Sequence, residues 1–86
     1  MRIEKKVWPE YFQKIFDGDK TFDVRLADFE CKKGDILVLR EWAPKTKEYT
    51  GRSLEKIITY VTKTRDMKFW SKEEAEKYGY QIMGFK

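Results

Sequence analysis

The segment from Gly18 to Arg25 concentrates side chains that can do chemistry. Its sequence, GDKTFDVR, holds two cations and two carboxylates within eight residues, directly after a stretch with helical spacing. Alternate side chains of an extended chain point to opposite sides, so Asp23 and Arg25 share one side while Phe22 and Val24 share the other. The polar side is therefore either a solvated strand or the wall of a binding site.

Three residues of this segment are candidates for ligand binding. Lys20 can contact a phosphate or carbonyl oxygen as a flexible point charge, or it can merely offset the negative end of the preceding helix. Asp23 can accept hydrogen bonds from base N–H groups while Arg25 orients it or grips a phosphate. Alternatively, Asp23 and Arg25 form an ordinary surface ion pair worth about 0–1 kcal/mol. We predict that Lys20, Asp23 and Arg25 contact RNA or a nucleotide.

Five residues further along the chain are assigned to the same predicted site. The tryptophan among them can stack a nucleobase, a contact worth ~1–3 kcal/mol, or it can belong to the core. The arginine after Gly51 can reach a phosphate from a flexible turn, and two further cations follow the predicted fourth strand. The five residues are Glu41, Trp42, Arg52, Lys63 and Arg65.

The positive charge of the chain is concentrated in residues 44–68. This segment holds seven cations and three anions, so it carries a net charge of +4, equal to that of the whole chain. A localised positive field attracts phosphates and accelerates encounter with polyanions. Lysines on a hairpin can equally well serve solubility and protect a sheet edge.

The composition argues against several kinds of site. The chain has no histidine and one cysteine, Cys31, so we expect no metal site, no intramolecular disulfide and no cofactor. No apolar leader follows Met1 and no run approaches the ~20 apolar residues of a membrane span, so we expect a cytoplasmic protein without a membrane partner. With 86 residues, we expect one domain, residues 1–86, and take a monomer as the default state.

Periodicity and turn residues predict five strands and two helices. Pro9 begins a helix that Gly18 ends, and most of its aromatic stripe is expected in the core. Ser71, followed by Glu74, forms a capping-box pattern that predicts a second helix from Ser71 to Tyr78. The predicted strands are residues 2–7, 21–26, 35–41, 54–62 and 80–85, with a loop at 44–51.

The order of these elements favours a mixed α/β, mainly β, fold. Five short strands suit a curled, mostly antiparallel sheet, and small sheets of this kind close into barrels because closure removes free edges. We therefore predict a small β-barrel of about five strands with two flanking helices.

The segment from Gly18 to Arg25 also resembles a known family pattern. Gly18, Lys20, Asp23 and Arg25 are similar to Gly-x-Lys-x-x-Glu-x-Arg of the ASCH domains, a branch of the PUA-like superfamily, with Asp in place of Glu. This resemblance implies a PUA-like β-barrel. It also implies a cleft beside the Gly-x-Lys loop that binds RNA or a nucleotide-sized ligand.

Two later segments look like those of DUF3850, a small uncharacterised family within that group. They are KGDILVLREW at 33–42 and YTGR at 49–52. The resemblance extends from about Trp8 to Phe85. Together with the charge pattern, it leads to our expectation of a non-catalytic RNA- or nucleotide-binding module.

The resemblance also implies an alternative of another class. Some ASCH-type proteins are similar to amidohydrolases that remove an acyl group from N4 of cytidine, which have a Lys in the position of Lys20, a Thr in the position of Asp23 and a downstream Glu. Here Asp23 replaces that nucleophile, although an Asp beside a Lys could act as a base toward water. The candidate downstream carboxylates are Glu73, Glu74 and Glu76.

Overall fold

Five strands form a single sheet. The computed structural model describes residues 1–66, 73, 76 and 78–86. Within them lie β1 (Arg2–Val7), β2 (Phe22–Leu26), β3 (Ile36–Ala43), β4 (Glu48–Lys63) and β5 (Tyr80–Phe85). The spatial order is β1-β3-β4-β5-β2, with β1 parallel to β3 and every other neighbouring pair antiparallel. The prediction of a mainly β fold with five strands is confirmed.

The sheet is open, so the prediction of a closed barrel is wrong. Its two edges are β1 and β2, and within the described residues no ladder joins them. One side-chain bond spans the gap, because the Arg25 guanidinium donates to the Lys6 carbonyl oxygen at 2.6 Å. The sheet is therefore curled enough to bring its edges within reach of an arginine side chain, while a gap remains between the backbones.

A helix of two turns connects the edge strands. α1 (Pro9–Phe16) has proline at its first position, as predicted, and Glu10 in its first turn. Gly18 has a φ of +85°, which a residue with a side chain rarely adopts, and the amide nitrogens of Asp19 and Lys20 donate to the Lys14 carbonyl. This turn closes the helix and delivers the chain to the start of β2.

The core lies on the concave side of the sheet, beneath α1. Phe12 and Ile15 of the helix are buried, as predicted, whereas Tyr11 and Phe16 of the same stripe are exposed. From the sheet, the fully buried apolar side chains are Leu37, Leu39, Ile58 and Met83. Alternation along β3 explains Leu37 and Leu39, because the odd-numbered residues of this strand point inward.

The hairpin of β3 and β4 is longer than the sequence predicts. Only residues 44–47 form a turn, and β4 begins at Glu48, so the predicted loop over 44–51 is wrong. Cross-strand pairing extends through Trp42 and Tyr49 to Ala43 and Glu48, and the Trp42–Tyr49 aromatic pair stabilises this part of the hairpin beyond the core. β4 pairs with β3 through Ile57 and with β5 from Ile58 onward. The helix predicted for Ser71–Tyr78 lies largely outside the described residues.

Candidate ligand-binding cleft

A cavity of about 490 Å³ lies between α1 and the two edge strands. β1 contributes Lys6 and β2 contributes Asp23 and Arg25, while Lys20 comes from the turn after the helix. The cavity occupies the gap that keeps the sheet from closing. Lys20, Asp23 and Arg25, predicted from an eight-residue segment to share a site, thus line one cavity.

Asp23 is the buried centre of the polar cluster and is 7% exposed. Arg25 Nε donates to Asp23 Oδ2 at 2.8 Å, and Lys20 Nζ lies 3.5 Å from Asp23 Oδ1. The Lys20 ammonium also donates to the Phe22 carbonyl oxygen at 2.8 Å. Each cation is thereby held in place, and both face the cavity.

The orientation of β2 shows whether its polar side is a solvated face or lines a binding site. Asp23 is buried and Arg25 half-buried, whereas the apolar side chains of Phe22, Val24 and Leu26 are each about half exposed. The strand therefore turns its polar side toward the concave interior. Asp23 and Arg25 therefore line a cavity and are not a solvated face, and Phe22 and Val24, from the other side of this edge strand, reach the same cavity.

Three exposed aromatic side chains complete the cavity wall. Trp8, Tyr11 and Phe22 line it and are 48%, 51% and 46% exposed. The site predicted from the sequence did not include them. The signal that could have found two of them is the spacing of Trp8 and Tyr11, because residues three apart at a helix start lie on the same side.

The cavity carries a net positive charge. Lys6, Lys20 and Arg25 face a single carboxylate, Asp23. The Lys20 ammonium lies 4.9 Å from the centroid of the Phe22 ring, within the range of a cation–π contact. The cleft therefore combines cations, aromatic faces and one hydrogen-bond acceptor.

Glu41 and Arg52 lie apart from the cleft, in an ion pair between a buried carboxylate and a half-exposed guanidinium. Both Arg52 Nε and Nη2 donate to the Glu41 carboxylate at 3.0 Å, and the Thr50 hydroxyl donates to it at 2.6 Å. The guanidinium also covers the Phe12 ring at 4.7 Å. These hydrogen bonds from Arg52, followed by that from Thr50, lower the pKa of Glu41 despite its burial. The pair fastens the hairpin to α1.

Trp42 lies near the cleft but not in it. The Lys6 ammonium sits 4.6 Å from the centroid of the Trp42 ring and also lines the cleft. Tyr49, paired with Trp42 across the hairpin, stacks on the Arg40 guanidinium at 3.8 Å. Lys6 thus links the cleft to an aromatic pair on the hairpin.

The cations of residues 44–66, all within the described part of the chain, do not line the cleft. Lys63 lies 3.5 Å from Glu30, and Arg65 is in the 3₁₀ turn Thr64–Asp66. Lys68 lies outside the described residues. The positive segment singled out by charge counting is therefore separate from the cleft, whose cations come from three other elements.

No helix among the described residues is long and apolar enough to cross a bilayer. The same residues contain no group of three carboxylate, thiol or imidazole side chains placed to hold a metal ion. Cys31 is half-buried, and burial raises the pKa of its thiol.

Comparison with known proteins shows similarity to a family and to a phage protein. Residues 4–85 match the family described as "Domain of unknown function (DUF3850)". A protein of Escherichia phage P2, named "Uncharacterized 12.9 kDa protein in GpA 3'region", is 36% identical over 63 residues. The matched region is 73% of this chain and 56% of the phage protein, so the chain spans little more than half of that relative.

Proposed function

The chain belongs to the DUF3850 family, and we propose that it is a non-catalytic RNA- or nucleotide-binding module whose ligand enters the cleft. Neither the family description nor the name of the phage relative states an activity. The proposal therefore depends on the chemistry of the cleft.

The observation that carries the proposal is the pairing of exposed aromatic rings with cations in one cavity. Trp8, Tyr11 and Phe22 offer ring faces, and every nucleobase has a face that stacks on such rings. Lys20 and Arg25 provide positive charge for a phosphate. The cavity volume of about 490 Å³ is within the range of small-molecule sites.

We further propose that the fold is a variant of the PUA-like fold of ASCH domains. In support of this, the four residues that match the ASCH pattern lie in the turn after α1 and in β2, beside the cleft. The variant differs from a closed barrel at the β1–β2 gap, where the Arg25–Lys6 bond replaces backbone pairing. In this proposal the ligand site is the opening of an incompletely closed barrel.

Titration with nucleoside monophosphates and with short single-stranded RNA tests the proposed function. Calorimetry on the unmodified protein at low salt should show binding, because phosphate contacts strengthen as salt falls. Trp8→Leu and Tyr11→Leu should each weaken binding about tenfold, in line with the ~1–3 kcal/mol of a lost stacking contact. Lys20→Met should also weaken it.

Lys45→Met is the matched control, because Lys45 is an exposed lysine in the hairpin turn, outside the cleft. If Lys45→Met weakens binding as much as Lys20→Met does, the cleft is not the site. Absence of binding to RNA, single-stranded DNA and nucleotides at low salt would end the proposal.

The amidohydrolase remains the alternative, and the cleft offers it less support. Both Asp23 oxygens face cations, and the described carboxylates Glu73 and Glu76 are exposed and do not line the cavity. Incubation with N4-acetylcytidine distinguishes the two. Release of cytidine that disappears in Lys20→Ala and Asp23→Ala would favour the hydrolase.

A further inference from the structure

The outer face of the sheet carries a row in which two exposed aromatic residues flank a glycine. Gly84 of β5 pairs with Phe22 of β2 on one side and with Tyr60 of β4 on the other. Directly paired residues point to the same face of a sheet. Phe22 is 46% exposed and Tyr60 is 66% exposed, so the row presents two aromatic residues with an empty position between them.

The spacing of this row suits a planar ring. Neighbouring strands lie about 4.8 Å apart, so the backbones of Phe22 and Tyr60 are roughly 9.6 Å apart. A flat ring in contact with an aromatic ring on each side needs about 7–8 Å between them. The row reaches that distance when the two side chains lean toward each other by about 1 Å each.

The fold itself does not require glycine at position 84. Its φ lies outside the left-handed region, and a Cβ there would meet only Thr59 Oγ1 at 3.6 Å and Tyr60 Cβ at 4.0 Å, which are ordinary contacts. Glycine inside a strand weakens the strand and often marks a place where a ligand approaches the backbone closely. The adjacent register shift lies between Ile58 and Tyr60, on the other strand.

Positive charge lies at both ends of the row. Phe22 also lines the cleft, where the Lys20 ammonium is 4.9 Å from its ring centroid. Beyond Tyr60, a groove of about 450 Å³ beside β4 is lined by Tyr60 itself, by three lysines and by one carboxylate, so its net charge is positive. These charged residues are Lys32, Lys33, Lys63 and Asp66. A chain of phosphates crossing the row would pass from one cationic site to the other.

We propose that the ligand is a single-stranded nucleic acid of several nucleotides, with one base in the cleft and a neighbouring base over Gly84 between Phe22 and Tyr60. This inference rests on the proposed function and specifies its ligand. The strand is single because a base in a duplex is stacked on both faces, and extruding it costs unpairing and unstacking energy that a single strand does not lose. Phe22 contacts both bases, so the two subsites are continuous.

Two pairs of variants test the row separately from the cleft. Gly84→Ala and Gly84→Val fill the empty position with increasing volume, and thermal unfolding should show a fold that is retained. Tyr60→Leu removes the ring, and Tyr60→Phe, the matched control, keeps it. The probes are RNA pentamers of random sequence, the corresponding DNA pentamers and the four nucleoside monophosphates.

We expect Gly84→Val and Tyr60→Leu to weaken pentamer binding about tenfold and to leave monophosphate binding unchanged, while Tyr60→Phe binds like the unmodified protein. If Gly84→Val and Tyr60→Leu bind the pentamers with full affinity while Lys20→Met binds them more weakly, the proposed base position over Gly84 is wrong. The proposal that the cleft binds the ligand then still holds. If Gly84→Val fails to fold, the Tyr60 pair decides alone. Absence of all binding overturns both proposals.

Sedimentation of the unmodified protein and of Gly84→Val tests whether this face is instead a protein interface. If the unmodified protein self-associates, and Gly84→Val abolishes this without affecting RNA binding, the face is a protein interface and the proposed base position over Gly84 is wrong.

Discussion

Replacing Glu41 with glutamine tests whether this residue is structural. Glu41 is 4% exposed, and its carboxylate accepts two hydrogen bonds from Arg52 and one from Thr50. Glutamine keeps the shape but presents an amide donor to the guanidinium, so at least one charge-assisted bond is lost. Such a bond contributes about 1.5–3 kcal/mol. Because the Arg52 side chain is 47% exposed, water compensates in part, and we expect Glu41→Gln to lower the free energy of unfolding by about 2 kcal/mol.

Urea and thermal unfolding at neutral pH provide the assay. For a domain of this size, about 2 kcal/mol corresponds to a fall in Tm of roughly 8–16 °C. Glu55→Gln is the matched control: Glu55 also pairs with an arginine, Arg2, through two hydrogen bonds, but both side chains are more than half exposed. Exposed pairs contribute little, so its Tm should stay close to that of the unmodified protein.

The pH dependence gives a second readout of the same pair. The Arg52 and Thr50 hydrogen bonds lower the pKa of Glu41 in the folded protein, so at acid pH the unfolded chain binds the proton more readily. The stabilisation is therefore complete above the ordinary glutamate pKa of about 4.3 and is lost as the pH falls through the lowered value. The difference in stability between the unmodified protein and Glu41→Gln should shrink below that pH. Equal effects of Glu41→Gln and Glu55→Gln, or a difference that grows in acid, would refute the structural role of the Glu41–Arg52 pair.

Three further predictions concern separate parts of the molecule. Gln81→Leu should lower the free energy of unfolding, measured by urea denaturation, by about 1–2 kcal/mol. The fully buried Gln81 amide donates to the Phe29 carbonyl and so holds the β2–β3 connection against β5. Gly79→Ala should lower Tm, because its φ is +61° and a Cβ would lie 2.9 Å from Thr64 Oγ1; a Tm equal to that of the unmodified protein would contradict this. In a salt titration of RNA binding, Lys20→Met should reduce the slope of log affinity against log salt by about 1, whereas an unchanged slope would place Lys20 outside the phosphate path.

Local patterns in the sequence were sufficient for most of the elements. Pro9 and the left-handed Gly18 bound the helix, as their conformational preferences require. The inward alternation of Leu37 and Leu39 follows from strand geometry in the same way. The hairpin was predicted too short because Trp42 and Tyr49 stabilise each other across the strands, and a cross-strand contact is not visible in local periodicity.

The candidate site was predictable only where its residues are close in sequence. Lys20, Asp23 and Arg25 lie within six residues, so strand alternation and one turn suffice to bring two of them to one side and the third beside them. Glu41 and Arg52 are also a carboxylate and a cation that could bind a ligand, but they pair with each other across the hairpin. The type of a side chain determines which contacts it can make, and the fold determines which partner is nearest.

By itself, the sequence determined the five strands seen in the described part of the chain, the bounds of the first helix and the shared side of Asp23 and Arg25, because these depend on neighbours a few residues apart. Only the tertiary structure decided that the polar side of β2 faces inward, that the edge strands stay apart, and that Trp8 and Tyr11 line the gap. These outcomes depend on how a twisted sheet curls and on which edges then meet. Residues from segments far apart in the sequence come together at the gap between β1 and β2, and no local sequence pattern specifies those contacts.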